Sequence, residues 1–241
     1  MVSIYMKKLI IGATGSIGSA VSRNIYKNGG KTHLVGRNEE ELASLAEELD
    51  SSYTVADVLD ENFCNHIIKD LGEEDIDGLA FCVGSIDLKP LKLTKKSDYM
   101  QCFNLNLISA TEIIRACHEK LKKNKGSIVL FSTVAARKGF INHSIISSAK
   151  SAVEGLTVAL AAEFAPNVRV NCIAPSLSKS KMATPMLKNE KMADSIAKMH
   201  ALKRIGDGED FSSLVNFLLS KNSSWITGQI IGVDGGRSSV A

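Results

Sequence analysis

The sequence lacks the features that mark several classes of protein. Its five cysteines are widely spaced and none forms a CxxC pair, which argues against a disulfide framework and against a metal site. Basic residues exceed acidic ones by only 29 − 26 = 3, so charge predicts neither a nucleic-acid partner nor a membrane partner. The N-terminal apolar run is too short for a signal peptide or a membrane span. We therefore expect a cytoplasmic protein with reduced thiols.

Aromatic residues are also scarce, at 5%, while 44% of residues are hydrophobic and 23% are charged, as is ordinary for a globular protein. A chain of 241 residues is long enough to bury a full core within one domain. The sequence shows no internal repeat, low-complexity tract or interdomain linker. We expect one domain over residues 1–241.

Apolar strand-like runs alternate with helical patterns from residue 8 to residue 233. This alternation is typical of a parallel sheet with helices on both faces. The sequence therefore predicts an α/β fold, a single-domain Rossmann-like, doubly wound parallel sheet. Long helices are predicted over 98–122 and 147–164.

A glycine-rich turn follows the first predicted strand, with the spacing Gly12-x-x-Gly15-x-x-Gly18. Glycines at a strand–helix junction let the backbone approach a pyrophosphate, and the helix N-terminus favours an anion. The alternative is a tight turn with no ligand. The position in a doubly wound pattern favours nucleotide binding, with contacts from the turn and its first helical residues: Gly12, Thr14, Gly15, Ser16, Ile17 and Gly18.

Arg37 and Asp57 follow the second and third predicted strands, where the adenosine half of a dinucleotide would lie. A carboxylate after the second strand would suit the ribose of NAD, whereas Arg37 suits the 2′-phosphate of NADP. Asp57 can accept from the adenine amino group. The alternatives are a solvated surface arginine and a turn or N-cap aspartate.

The stretch from Gly126 to Lys150 predicts a catalytic crevice. A buried strand ends in Ser132-Thr133, and a helix that carries Lys150 follows the next loop. Asn106 lies inside a predicted helix, where asparagine has no propensity advantage, so a buried hydrogen-bonding role is expected; Asn104 competes for that role.

Residues 177–205 are less regular and rich in methionine (Met182, Met186, Met192 and Met199). Such a segment suits a substrate-side flap over an apolar pocket and equally suits plain helix packing.

Taken together, these segments resemble the short-chain dehydrogenase/reductase family over nearly the whole chain, with 3-oxoacyl-carrier-protein reductases as the nearest likeness. The supporting segments are IIGATGSIG, GRNEEEL, the Asp57-Val58 pair, FNLNL, GSIVLFST, SSAKSAVEGLTVALAAEF, VRVNCIAPS and WITGQIIGVDGG. The resemblance implies NADP or NAD binding and hydride transfer to or from a carbonyl group. It adds cofactor contacts at Val58, Gly84, Pro175 and Ser180.

The family uses an Asn, a Ser, a Tyr and a Lys for catalysis. Carried across, Asn106 matches the Asn, Thr133 the Ser and Lys150 the Lys, whereas Ile146 occupies the tyrosine position. Ser176 also replaces the glycine that usually follows Pro175.

The missing phenol leaves the proton donor open, because the chain has no tyrosine after Tyr99. Tyr99 precedes Asn106 by about two helical turns and is a poor substitute. His143, three residues before Ile146, is the nearest alternative acid, since imidazole changes protonation near neutral pH. The alternative for His143 is an exposed loop position.

Two functions therefore stand as hypotheses. One is an atypical NADP(H)-dependent oxidoreductase acting on a small carbonyl or acyl-type substrate, with the proton supplied by His143, water or the substrate. The other is a weak or inactive nucleotide-binding relative that serves as a sensor or assembly partner. The resemblance also implies a homo-oligomer, a tetramer or dimer formed through the helices 98–122 and 147–164.

Overall fold

The computed structural model describes residues 6–240, so Tyr5 and its predecessors lie outside the description. Within those residues, strands that run parallel to one another form a single sheet in the order β3-β2-β1-β4-β5-β6-β7. The strands are β1 (Lys7–Ile11), β2 (Lys31–Gly36), β3 (Ser52–Val55), β4 (Ile76–Phe81), β5 (Ser127–Phe131), β6 (Arg169–Pro175) and β7 (Ile230–Val233).

Helices connect the strands. They are α1 (Ser16–Lys27), α2 (Glu39–Glu48), α3 (Phe63–Leu71), α4 (Lys96–Phe103), α5 (Ser109–Lys123), α6 (Ser144–Phe164), α7 (Thr184–Leu187), α8 (Glu190–Lys198) and α9 (Glu209–Leu219). A π-helical turn (Asn104–Ile108) joins α4 to α5, and short 3₁₀ turns lie at Leu91–Leu93, Val134–Ala136 and Lys221–Ser223.

Two hydrophobic cores cover the two faces of the sheet, because successive strand side chains point to opposite faces. On β1, Leu9 and Ile11 pack with α3, α5 and α6, while Ile10 packs with α1, α2 and α9. All three side chains are fully buried. The predicted doubly wound α/β fold is therefore confirmed.

The strand order reverses between β1 and β4, since β1 leads outward to β2 and β3 while β4 begins the other half of the sheet. In sheets of this kind the crevice beyond the carboxyl ends of the strands at this reversal is the usual ligand site. The glycine turn follows β1 there, and Gly84 and Ser132 follow β4 and β5 on the same edge.

The predicted helix 98–122 was wrong in one respect: it is interrupted by the π-helical turn, which inserts an extra residue per turn at Asn104–Ile108. The other long helix begins at Ser144 rather than at residue 147. The predicted irregular segment 177–205 contains the short helices α7 and α8.

By length and apolar composition alone, α6 is long enough to cross a membrane. In this fold it instead packs against β6 and buries the polar side chains of Lys150, Glu154 and Thr157. Those features are typical of a core helix.

Candidate active site

The glycine turn is required by close backbone packing. Gly12 adopts φ +81°, a left-handed conformation that favours glycine. A Cβ atom added at Gly18 would lie 2.2 Å from the carbonyl oxygen of Gly12, so α1 could not approach the turn. Gly15 caps α1, whose first N–H groups have no partner within the helix. The resulting cradle fits a phosphate group next to the positive end of the helix dipole.

Arg37 and Asp57 lie beside each other at the ends of β2 and β3. The guanidinium Nη1 atom is 3.5 Å from the Asp57 carboxylate, and the Arg37 side chain is 73% exposed. Asp57 also accepts a hydrogen bond from the backbone N–H of Leu59 at 3.0 Å, as expected for a turn aspartate. Both sequence interpretations of Asp57 therefore remain compatible with its position. Thr14 faces this end of β2, with its hydroxyl near Gly36.

Lys150 is buried at the centre of the crevice. Its side chain is 6% exposed, and its ammonium donates to the Phe131 carbonyl oxygen at 2.9 Å. Burial lowers the pKa of Lys150 from 10.5 to about 8, because the charged form loses its hydration. Lys150 therefore gives the crevice a positive charge at neutral pH that can be removed near pH 8.

Asn106 lies on the π-helical turn and is 1% exposed, whereas Asn104 is exposed. Its Nδ2 donates to the Cys102 carbonyl oxygen at 2.8 Å and approaches Ser85 Oγ at 3.3 Å. Among the described residues, Asn106 Oδ1 is the buried side-chain polar atom that has no partner. An unpaired buried oxygen is costly in a folded protein and points to a missing donor.

Asn106 and Lys150 face the same small space. A Cβ atom added at Gly84 would lie 3.3 Å from both Asn106 Oδ1 and Lys150 Nζ. Glycine at position 84 therefore keeps open a gap between an unpaired acceptor and an ammonium group. A water molecule or a ligand hydroxyl there can bond to both.

Thr133 and Ser132 point in different directions at the end of β5. Thr133 is partly exposed in the crevice, where its hydroxyl is 3.4 Å from the Pro175 carbonyl oxygen. Ser132 is buried and donates to Glu154 Oε1 at 2.9 Å, while Arg137 holds the other carboxylate oxygen at 2.7 Å. Thr133 is thus the hydroxyl available to a ligand. Glu154 was missed by sequence reasoning, since a glutamate within an apolar helix carries no motif.

Ile146 lies one helical turn before Lys150 and lines the same cleft. Its side chain is 5% exposed and packs in a small apolar cluster with Cys102, Ile145 and Ala149. Tyr99 contacts this cluster from outside, and its hydroxyl bonds to Ser144 Oγ at 3.1 Å. Tyr99 does not line the cleft, which agrees with its rejection as a substitute for the missing phenol.

His143 caps the start of α6 and lines the cleft with Ile146. Its Nδ1 atom is 2.7 Å from the Ile141 carbonyl oxygen, which can only accept, so Nδ1 carries a proton. The Nε2 atom is the ring nitrogen left for a ligand. The ring also contacts Phe140, with centroids 5.3 Å apart.

The cleft encloses about 310 Å³ and runs from the glycine turn, at Gly15, Ser16 and Ile17, to the methionine-rich segment. From that segment Met182, Met186 and Ile196 line it, and Met182, Met192 and Met199 are each about half exposed. The flap and the helix-packing interpretations of this segment both stay predictions. Among predicted cofactor contacts, Gly84, Pro175 and Ser180 also line the cleft, while Val58 is buried beside Asp57.

Two further side chains of the cleft region carry no sequence motif that would single them out. Arg237 lines the cleft near Phe140, and buried His200 bonds to Ser176 Oγ at 2.8 Å. Arg237 follows the Asp234-Gly-Gly turn by one residue, and its distance in sequence from the other site residues hides its position.

Comparison with known proteins supports this architecture. A protein family described as enoyl-(acyl carrier protein) reductase matches residues 12–238. A tropinone reductase homolog of Arabidopsis thaliana is 34% identical, over 95% of this chain and 90% of its own length. The 3-oxoacyl-(acyl-carrier-protein) reductase FabG of Rickettsia prowazekii is 32% identical, over 95% of both chains.

Solved structures of similar fold extend the comparison. A short-chain type dehydrogenase/reductase from Mycobacterium ulcerans superposes with a TM-score of 0.90 at 26% identity, covering 97% of this chain and 90% of its own. A gluconate 5-dehydrogenase from Burkholderia cenocepacia, solved with NADP and tartrate, gives a TM-score of 0.91 at 23% identity and 98% and 96% coverage, a likeness of fold alone. With the family match, these relatives show that the chain belongs to the short-chain dehydrogenase/reductase family.

Proposed function

We propose that the protein is an NADP(H)-dependent oxidoreductase that acts on a carbonyl or alcohol substrate without a tyrosine proton donor. One observation carries this proposal: a single cleft joins the glycine turn to Lys150 and Thr133, and Ile146 also lines its wall. The relatives named above are reductases or dehydrogenases, which supports redox chemistry for this chain.

The residues present fit a dinucleotide. A Cβ atom at Gly12 or Gly18 would meet neighbouring backbone atoms, so glycine at both positions lets the turn pack closely against the start of α1, where a pyrophosphate would bind. Lys150 Nζ and Asn106 Oδ1 supply a donor and an unpaired acceptor at the far side of Gly84. When bound, the nicotinamide supplies or accepts the hydride. The protein holds and orients the reactants.

NADP is preferred over NAD in this proposal because of Arg37. The exposed guanidinium has only one long contact to Asp57, at 3.5 Å, and retains most of its donors for an added phosphate. Surface ion pairs of this kind contribute little, so a doubly charged phosphate can displace Asp57.

Proton delivery is the unusual part of the reaction. Reduction of a carbonyl places negative charge on its oxygen, and the Thr133 hydroxyl is positioned to donate to that oxygen. Cys82 lines the cleft, but burial raises the pKa of its thiol to about 12, so it is a weak acid. The proton can come from His143 Nε2 when the ring is an imidazolium, from a water molecule, or from the substrate itself. Without a tyrosine, slow turnover is expected.

A non-catalytic nucleotide-binding role is the second candidate. The packing of Ile146 against Cys102, Ile145 and Ala149 favours it, because the residue at the tyrosine position belongs to an apolar cluster here. A binding protein needs Lys150 and the glycine turn but no acid. The two candidates therefore differ in turnover and agree in nucleotide binding.

Fluorescence titration with NADPH and NADH, followed by cofactor consumption with a panel of ketones and 3-oxoacyl thioesters, separates the candidates. Tight binding without turnover would leave only the non-catalytic role. Absence of binding to either nucleotide would remove both. In an active protein, Ile146→Tyr should raise turnover by about 10²- to 10⁴-fold, the usual contribution of a general acid.

Ile146→Phe is the matched control for that variant, since it adds the ring without the hydroxyl. Equal gains in both variants would mean that the ring, and not the proton, is responsible. His143→Ala tests the substitute acid. Unchanged turnover across neutral pH would assign the proton to water or substrate.

We also propose that the chain forms a homo-oligomer through α5 and α6. The outward side of α6 exposes Val158 by 51%, and Ile108 just before α5 is 46% exposed. Helix α6 carries small residues such as Gly155 and Ala159 on its exposed side, which permits close helix contact. Light scattering coupled to size-exclusion chromatography should give a dimer or tetramer mass, and a monomer would contradict this proposal.

A further inference from the structure

We propose that Arg237 binds an anionic group of the substrate, so that the preferred substrates are oxo acids or oxo phosphates. This inference rests on the proposed function, because it assigns the Arg237 end of the cleft to the substrate. The side chain lines the same cleft as Lys150 and His143. Among the cleft-lining residues that the structure describes, the basic side chains are Lys150, His143 and Arg237, and no carboxylate lines the wall.

Among the arginines of residues 6–240, Arg237 is the one that both lines the cleft and forms no ion pair with a carboxylate. Arg23, Arg37, Arg137 and Arg204 each lie within 3.5 Å of a carboxylate oxygen. Within residues 6–240, Arg237 forms no such ion pair. A partly buried guanidinium that lacks a carboxylate partner retains the capacity to bind an external anion in bidentate fashion.

The carboxylate of Asp234 interacts electrostatically with Arg237, but its hydrogen bonds are made to other groups. It accepts hydrogen bonds from the backbone N–H of Gly236 at 2.9 Å and of Ser238 at 2.8 Å, and from the Ser238 hydroxyl. Burial is the main cause that lowers the pKa of Arg237. An anion in the cleft would offset this desolvation.

A directional hydrogen-bond chain holds the guanidinium in place. His200 Nδ1 is 2.8 Å from the Ile196 carbonyl oxygen, so Nδ1 carries a proton and donates. When the ring is neutral, Nε2 accepts from the Ser176 hydroxyl at 2.8 Å, which leaves the Ser176 oxygen to accept from Arg237 Nη1 at 3.2 Å. Ser176 stands where the family usually has glycine, so the hydroxyl that orients Arg237 is a feature of this chain.

The flat face of the guanidinium is also supported. Its central carbon lies 4.7 Å from the centre of the Phe140 ring, a cation–π arrangement, and Nη2 contacts Met199 Sδ at 3.5 Å. These contacts use the face and a few of the five N–H donors. The remaining donors are available to an oxyanion.

The anion site lies close to the reacting centre. Thr133 Oγ1 is 3.4 Å from the carbonyl oxygen of Pro175, and the next residue, Ser176, bonds to Arg237. A substrate whose carbonyl oxygen meets Thr133 can therefore reach Arg237 with an acidic group a few carbons away. The apolar side chains of Phe140, Leu177 and Ile196 line the same region and suit a hydrocarbon spacer.

The test uses two matched pairs of ketones: levulinate against methyl levulinate for a carboxylate, and dihydroxyacetone phosphate against dihydroxyacetone for a phosphate. Calorimetry measures the Kd of each compound for the full chain, with and without saturating NADP⁺, which forms a dead-end complex with a ketone. Wild-type protein should bind at least one anionic member about 10- to 100-fold more tightly than its neutral partner.

Arg237→Gln should abolish that preference, Arg237→Lys should retain part of it, and Ser176→Ala should reduce it while leaving the Kd of the neutral ketone unchanged. Arg23→Gln, at an exposed arginine on α1, is the control and should keep the full preference. Circular dichroism checks that each variant is folded.

Equal binding of acid and neutral ketone by the wild-type protein would overturn the inference. An undiminished preference in a folded Arg237→Gln variant would also overturn it. So would a loss of NADP⁺ affinity in that variant as large as its loss of affinity for the anionic ketone, because Arg237 would then bind the cofactor. Failure of NADP⁺ to bind would count against the proposed function alone, because the titrations without nucleotide still report on the anion site.

Discussion

Replacement of Lys150 with methionine should stabilise the fold at neutral pH and weaken NADPH binding. Burial lowers the pKa of Lys150 from 10.5 to about 8, a cost to folding of about 3 kcal/mol while the side chain is charged. Methionine removes this cost and also the hydrogen bond to the Phe131 carbonyl oxygen, which contributes about 1 kcal/mol. The net gain is about 2 kcal/mol.

The pH dependence provides the sharper test. Below about pH 8, Lys150 is charged in both the folded and the unfolded state, and the full cost applies. Between about 8 and 10.5, the folded state has lost its proton while the unfolded state keeps it, so the stability of the wild-type protein rises with pH. Above 10.5 both states are neutral, the cost is gone, and only the lost hydrogen bond separates the two proteins.

Urea unfolding of the wild-type protein, Lys150→Met and the control Lys27→Met measures the effect. Lys27 is exposed at the end of α1, and its replacement should change the free energy of unfolding by less than about 0.5 kcal/mol. NADPH affinity should fall about 10- to 100-fold in Lys150→Met. A variant less stable than wild type at neutral pH, or a stability difference independent of pH, would refute the reasoning.

Three further predictions concern the turn, the support of the site and cofactor choice. Gly18→Ala places a Cβ atom 2.2 Å from a backbone oxygen and should cost about 1–3 kcal/mol in urea unfolding and abolish NADPH fluorescence enhancement. Gly139→Ala, which meets open space, should change neither, and normal NADPH binding by Gly18→Ala would contradict the packing argument. Glu154→Ala leaves the Ser132 hydroxyl and the Arg137 guanidinium without their carboxylate acceptor and should lower the free energy of unfolding by about 1–3 kcal/mol. No loss would mean that these hydrogen bonds contribute nothing to stability. Arg37→Asp should lower the NADPH-to-NADH affinity ratio about 10- to 100-fold, and an unchanged ratio would remove Arg37 from the phosphate site.

Local patterns in the chain predicted most of the fold. The alternation of apolar runs and amphipathic helices was predicted from residue 8 to residue 233, and the observed strands run from β1 (Lys7–Ile11) to β7 (Ile230–Val233). Asn38, for example, is an N-cap residue type directly before the three glutamates that begin α2, and its side chain accepts from the Glu41 N–H at 2.9 Å. These features are local, because hydrogen bonding and side-chain period within a few residues decide them.

The sequence predicted which residue types form the candidate site, but it predicted less well which of those side chains contact one another. Asn106 was preferred over Asn104 from the family resemblance, and its burial beside Lys150 is set by the π-helical turn, which has no sequence signal of its own. Whether Ile146 faces a pocket or a packed cluster depended on neighbours such as Cys102, which lies 44 residues earlier in the chain. Glu154 and Arg237 became visible only through their contacts.

The sequence by itself determined a parallel α/β sheet, a glycine turn at the first helix, a lysine and a hydroxyl at the crevice, and an isoleucine at the position where the family resemblance expects a tyrosine. Only the tertiary structure decided that Asn106 Oδ1 is left unpaired beside Lys150 and that Ser176 and His200 orient a guanidinium without a carboxylate partner. The reason is physical. Element type follows from neighbouring residues, whereas desolvation and hydrogen-bond partnership depend on side chains that meet only when distant segments pack together.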